Sequence, residues 1–124
     1  MADIEITINL ENDLTIFTVV GDLTANEILH CSSEFYDKNP TRLVLWDASK
    51  GSVSKITPSD FERIAIEMRQ YTKKRAGGKT AFVGKFGANF GLGRMYEALA
   101  EIENLPVSYR TFQDIQKAME WFQL

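Results

Sequence analysis

The sequence predicts an α/β domain: an opening β-hairpin, then parallel strands alternating with helices, in a five-stranded mixed sheet with its helices mainly on one face. Three observations carry this. Apolar residues alternate near the start of the chain and then recur at helical spacing in later segments. Helix-start chemistry stands ahead of two of those segments. And Leu43-Val44-Leu45-Trp46 is apolar on both faces, which suits a strand covered on two sides, in the middle of a parallel sheet.

Ile4, Ile6, Ile8 and Leu10 alternate with Glu5, Thr7 and Asn9, the period of a half-buried strand. Glu11-Asn12-Asp13 is turn chemistry, so Leu14 to Val20 reads as the second arm of a hairpin. Thr24-Ala25-Asn26-Glu27 is a capping box, and the helix behind it turns Ile28, Leu29 and Phe35 inward. Pro40 disfavours helix in the residue before it and marks its end. The central strand follows over 42–47, then a polar loop rich in hydroxyls over 49–56. Thr57-Pro58-Ser59-Asp60 starts a second helix, with Thr57 as cap and Pro58 in the first turn. Its inward residues are Phe61, Ile64, Ala65, Met68 and Thr72, and Gly77-Gly78 ends it. Thr80 to Val83 is a strand. Gly84 to Gly93 reads as a glycine-rich connection, leading to a helix faced by Leu92, Met95, Tyr96, Leu99 and Ile102. Val107 to Phe112 is the last strand. Ile115, Ala118, Met119 and Phe122 line the last helix.

Strands in chain order with right-handed crossovers put the helices on one face. The other face would show Phe17, Val19, Val44, Trp46 or Phe82, according to register. Such a patch seldom stays open to water, so a second copy or a ligand is expected to cover it.

The chain has 124 residues, expected to form one domain over 1–124, with 44% apolar and 25% charged residues as in ordinary globules. A net charge of −3 argues against nucleic acid as a partner. One cysteine, Cys31, forms no internal disulfide, and the acidic, strand-like start lacks the pattern of a secretory leader. No apolar run reaches the ~20 residues of a transmembrane segment, so a cytoplasmic location is expected.

In open α/β sheets ligands gather beyond the carboxyl ends of strands, which makes Asp47 and Ser49 candidates for contact with a ligand or partner. The plainer role of both is to tie down the loop that follows. The stretch Gly84–Arg94 runs from strand to helix, where Lys85 and Arg94 favour an anion and Phe86 and Phe90 an apolar group. It is no P-loop, because no Gly-Lys-Ser/Thr closes it. His30 and Cys31 are neighbours on one helix, point about 100° apart, and read as structural. Arg69, Lys73, Lys74, Arg75 and Lys79 read as a solvated helix end that complements the dipole. With one histidine and no metal-ligand cluster or Gly-x-Ser-x-Gly elbow, no catalytic residue, metal or cofactor is expected.

Three stretches resemble the STAS / SpoIIAA-like superfamily, the fold of anti-sigma factor antagonists. Gly21-Asp-Leu-Thr-Ala-Asn-Glu27 looks like the segment before the first helix. Leu43-Val-Leu-Trp-Asp-Ala-Ser49 looks like the central strand ending in Asp-Leu-Ser. Phe112-Gln-Asp-Ile-Gln-Lys-Ala-Met-Glu-Trp121 resembles the last strand and helix of the SpoIIAA-like branch. The resemblance implies a bacterial, non-catalytic regulatory or interaction module that works through protein–protein contact, as a homodimer or with a protein partner. The antagonists are phosphorylated on the first serine of Asp-Ser-Ser-Gly. Here Pro58 stands at that position, which leaves Ser59 as the candidate for phosphorylation. The fold is also similar to lipid-binding CRAL-TRIO domains, which implies the alternative of a small apolar or anionic ligand.

Overall fold

The run Leu43–Trp46 lies where its two apolar faces require, at the middle of a five-stranded sheet. The computed structural model describes residues 2–85 and 87–124. Its strands are β1 (Asp3–Asn9), β2 (Leu14–Asp22), β3 (Leu43–Ser52), β4 (Lys79–Val83) and β5 (Ser108–Phe112), side by side in chain order. β1 is antiparallel to β2, and the other neighbours are parallel. The helices are α1 (Ala25–Asp37), α2 (Pro58–Met68), α3 (Gly87–Ile102) and α4 (Ile115–Phe122), and Thr72–Arg75 is a 3₁₀ turn. The expected hairpin and the alternation after it are both present.

The two faces of the sheet hold separate cores. Val19, Trp46 and Phe82 face α1, α2 and α3. Leu43, Leu45, Ala81 and Val83 face α4, which buries Ala118 and Phe122 on them. This corrects the expectation of an open face carrying Phe17, Val44 or Trp46. Those residues, with Val19 and Phe82, lie under α1–α3, and α4 covers the opposite face over β3–β5. The crossover rule places only helices that join two parallel strands, so it says nothing about α4, which comes after the last strand.

Several boundaries also move. β3 runs on to Ser52, through residues that read as loop, because Lys50 and Gly51 pair with Val20 and Gly21 of β2. A Cβ at Gly51 would sit 2.9 Å from the Val19 carbonyl oxygen, so glycine is what lets the two strands approach. α3 begins at Gly87 instead of near Leu92. Asn89 secures its first turn: its Nδ2 donates to the Gly51 carbonyl over 3.0 Å, and its Oδ1 accepts the Val53 N–H over 3.1 Å. Gly93 is a packing glycine inside that helix, since a Cβ there would lie 2.7 Å from both Phe82 and Thr111. α2 stops at Met68, and the chain tightens into the 3₁₀ turn that delivers Arg75 to the interior.

Both expected helix starts are capping boxes. The Thr24 and Thr57 hydroxyls accept the N–H groups of Glu27 and Asp60, whose carboxylates accept the Thr24 and Thr57 N–H groups in return. Thr24→Ala is expected to cost about 1 kcal/mol in urea unfolding. Burial works against the Glu27 carboxylate, but hydrogen bonds from the Thr24 N–H and hydroxyl and the Ala2 N–H outweigh it and hold the group below its ordinary 4.5. The Asp60 carboxyl is likewise held below 3.8, chiefly by the Thr57 N–H. A depressed carboxylate stabilises the fold above its unfolded value and stops doing so as pH falls through the folded one. Stability should therefore decline from about pH 4.5 downward, and Glu27→Gln should flatten that decline in a pH series of urea unfolding.

Candidate functional site

Between the sheet and helices α1–α3 lies a cavity of about 100 Å³. Its aromatic wall comes from alternate positions of three neighbouring strands, Phe17 on β2, Trp46 on β3 and Phe82 on β4, paired in register. Phe17 stacks on Trp46 with centroids 4.3 Å apart and meets Phe35 of α1 edge to face at 6.0 Å. Phe61 and Ile64 of α2 and Tyr96 of α3 form the helical side. Trp46 and Phe82 stand mid-strand on the covered face, yet both are only half-buried, whereas their neighbours Leu45 and Ala81 are fully enclosed. The helices do not close over the rings.

Arg75 lines the cavity and is 5% exposed. Its five N–H groups are all engaged. Nε donates to the Thr41 carbonyl, Nη1 to the Tyr36 hydroxyl and the Thr80 Oγ1, and Nη2 to the Arg42 and Lys79 carbonyls, over 2.8–3.1 Å. Among the described residues it makes no ion pair. Arg75 thus ties the loop before β3 to the start of β4, and it keeps no donor free for an anion. This corrects the reading of a uniformly solvated basic helix end. Lys79 departs from it as well: its Nζ donates to the Trp121 carbonyl over 3.0 Å and lies 5.1 Å from that ring's centroid.

Polar groups on β5 and α3 complete the lining. The Thr111 Oγ1 is buried and has no hydrogen-bond partner among the described residues, while the Thr111 N–H donates to Glu97 Oε2 over 2.8 Å. That carboxylate oxygen lies 3.6 Å from Arg94 Nε. Burial first holds both the Tyr96 and the Tyr109 hydroxyls protonated far above neutral pH, aided at Tyr96 by Tyr109 and then Tyr36, and at Tyr109 by Tyr36. The cavity is therefore a mostly apolar, ring-lined space with neutral hydroxyls at its edge and the charged Arg75, Glu97 and Arg110 among its lining residues.

Phe17, Val44, Trp46 and Phe82, expected from the sequence to meet a second copy or a ligand, line this cavity, whereas the candidates at the strand end and in the glycine-rich stretch lie elsewhere. Asp47 is 9% exposed and, two residues on from Leu45, faces the α4 side of the sheet. β3 carries an extra residue against β2 just beyond it, and Asp47 Oδ1 accepts the Ser49 N–H there over 3.0 Å. Ser49 is half-buried in β3, and the strand continues to Ser52, so Asp47 does not stand at its end. Lys85 and Arg94 are exposed, Phe90 is half-buried on α3, and Ser59 is exposed in the first turn of α2. Phe86 lies outside the described residues. None of Asp47, Ser49, Lys85, Phe90 and Arg94 lines the cavity. The sheet separates Asp47 from α1, where His30 is exposed and lies 3.5 Å from Glu34. Burial first, then Glu34 and Glu27, pushes the Cys31 thiol up, away from a reactive thiolate.

Among the described residues no three His, Cys, Asp or Glu side chains converge as a metal ion would need, and no helix is long and apolar enough to cross a membrane. Sequence reasoning missed Arg75, Tyr36 and Thr111. For Thr111 a signal existed: in β5, Tyr109 and Thr111 alternate with Arg110, which marks them as inward-facing.

No family model matches the chain, and no curated protein does. Among solved structures it is similar to an uncharacterized protein of the DUF3478 family with a SpoIIAA-like fold from Shewanella loihica PV-4. The two share 16% identity at a TM-score of 0.59, over 98% of this chain and 93% of that one. It is also similar to the anti-sigma factor antagonist SpoIIAA in its unphosphorylated form, with 7% identity and a TM-score of 0.52 over 99% of this chain and 98% of that one. At such identities the likeness is one of fold, and the chain has the SpoIIAA-like fold.

Proposed function

We propose that this chain is a non-catalytic binding module of SpoIIAA-like fold, and that its ligand is a small, neutral, ring-bearing molecule held between the sheet and helices α1–α3. The observation that carries the reading is the cavity itself, about 100 Å³ and lined by aromatic and aliphatic side chains. The half-buried Trp46 and Phe82 rings leave apolar area in contact with water, and a ligand seated on them gains about 25 cal/mol for each Å² it removes. Apolar cavities of comparable volume take up benzene. A neutral molecule is favoured over an anion because the Arg75 donors are all engaged and the Glu97 carboxylate borders the Thr111 end. The unpartnered Thr111 hydroxyl favours one polar group on the ligand.

Native mass spectrometry with added phenol tests this. One phenol per chain at saturation, or a co-purifying small mass that phenol displaces, is expected; no saturable uptake of either phenol or benzene would overturn the reading. Thr111→Val removes the lone hydroxyl at nearly constant shape. It is expected to raise stability by up to about 1 kcal/mol and to erase any preference for phenol over benzene.

A second reading, protein–protein contact, is favoured by a different observation. Ile6, Ile8 and Leu10, at 50%, 59% and 83% exposure, form an apolar stripe at the free edge of the sheet. Within that reading Ser49, Lys85, Phe90 and Arg94 offer further contact surface, and an exposed Ser59 at the start of α2 is open to a kinase.

A further inference from the structure

We propose that two copies of this chain pair edge to edge through β1, antiparallel and centred on Ile6, and so join their sheets into one. The proposal rests on the protein-contact reading and is independent of the cavity. Among the described residues β1 has a neighbour on one side only, so its outer row of N–H and C=O groups lacks a partner strand there. Of the devices that normally protect an edge, the strand has only the carboxylates Asp3 and Glu5. The strand is seven residues long, without lysine or proline. Ile6 and Ile8 remain 50% and 59% exposed, while Phe17, directly across from Ile6 on β2, is 2% exposed, so α1 stops short of the edge.

Charge selects the register. Antiparallel pairing places residues of the same face opposite one another, which leaves registers centred on a single residue. Centred on Ile6, Ile4 meets Ile8 of the second copy, Glu5 meets Thr7 and Asp3 meets Asn9, so every carboxylate faces an uncharged polar group. Centred on Glu5, that carboxylate faces its own copy. Centred on Thr7, only residues 5–9 find partners, and Asp3 and Ile4 are left unpaired. Like charges directly opposite are destabilising, so the Ile6 register is the one that pairs the whole of β1 without such a contact. The contact is self-complementary and closes on itself as a two-fold dimer.

Sedimentation equilibrium on the full chain at about 10 µM tests this. A dimer is expected. Thr7→Glu sets a carboxylate against Glu5 of the second copy and is expected to raise the dissociation constant by roughly tenfold or more. Adding Glu5→Lys to that variant turns the clash into an opposite-charge pair and should restore the dimer. Circular dichroism of both variants separates a lost contact from a lost fold. A wild-type monomer, or a dimer indifferent to Thr7→Glu, would overturn the proposal. A monomer that still takes up phenol would leave the ligand reading standing.

Discussion

Arg75→Met is expected to lower the free energy of unfolding by about 3–5 kcal/mol, the largest effect of any single side chain outside the apolar core. The guanidinium sits at 5% exposure and donates to five oxygens, three of them main-chain carbonyls of residues 41, 42 and 79. Methionine fills similar space but strands those acceptors away from water, and each unpaired buried group carries its own desolvation cost. Arg75→Lys keeps the charge and is still expected to be destabilising by about 2 kcal/mol or more, because one ammonium cannot span a planar fork of five donors. Urea unfolding of the three proteins should rank them arginine, lysine, methionine. Equal stability of the lysine variant and the parent would show that charge, and not the fork, matters here.

Leu45→Ala is the second large effect, a loss of about 2–5 kcal/mol. Leu45 is wholly enclosed, at the middle of the central strand and beneath α4. A cavity opened there is flanked by strands on both sides and roofed by α4, with little freedom to collapse. The contrast is Ile102→Ala on α3, at a site 69% exposed, where a change within about 0.5 kcal/mol is expected. The sequence pattern alone groups Ile102 with the inward residues of its helix, so this pair of variants also measures how far periodicity can be trusted there.

What could be read in advance follows from which signals are local. The hairpin, the capping box at Thr24, the Thr57 cap and the two-faced strand are each written within a few consecutive residues, and all appear in the structure. The glycines over 84–93 were misleading because loop chemistry and close packing use the same residue. At Gly93 the deciding fact is the approach of Phe82 and Thr111, which are 11 and 18 positions away in the chain. The site was less legible still. The pattern groups its wall residues Phe17, Trp46 and Phe82 on one face, but on the face expected to be free of helices, and no single stretch tells which face the helices cover. Arg75 sits in a run of cations that reads as solvated, and only the 3₁₀ turn after α2 carries it inside. Asp47 was placed at a strand end because the pairing of Lys50 and Gly51 with β2 depends on a bulge that no alternation announces.

Carbon-13 methyl NMR during a benzene titration tests the central claim most directly. The account predicts saturable shifts at the methyl groups of Ile28, Ile64 and Met68, which line the cavity, with Leu43, Leu45 and Val83 across the sheet unmoved. Shifts that never saturate, or that fall equally on both faces of the sheet, would contradict it.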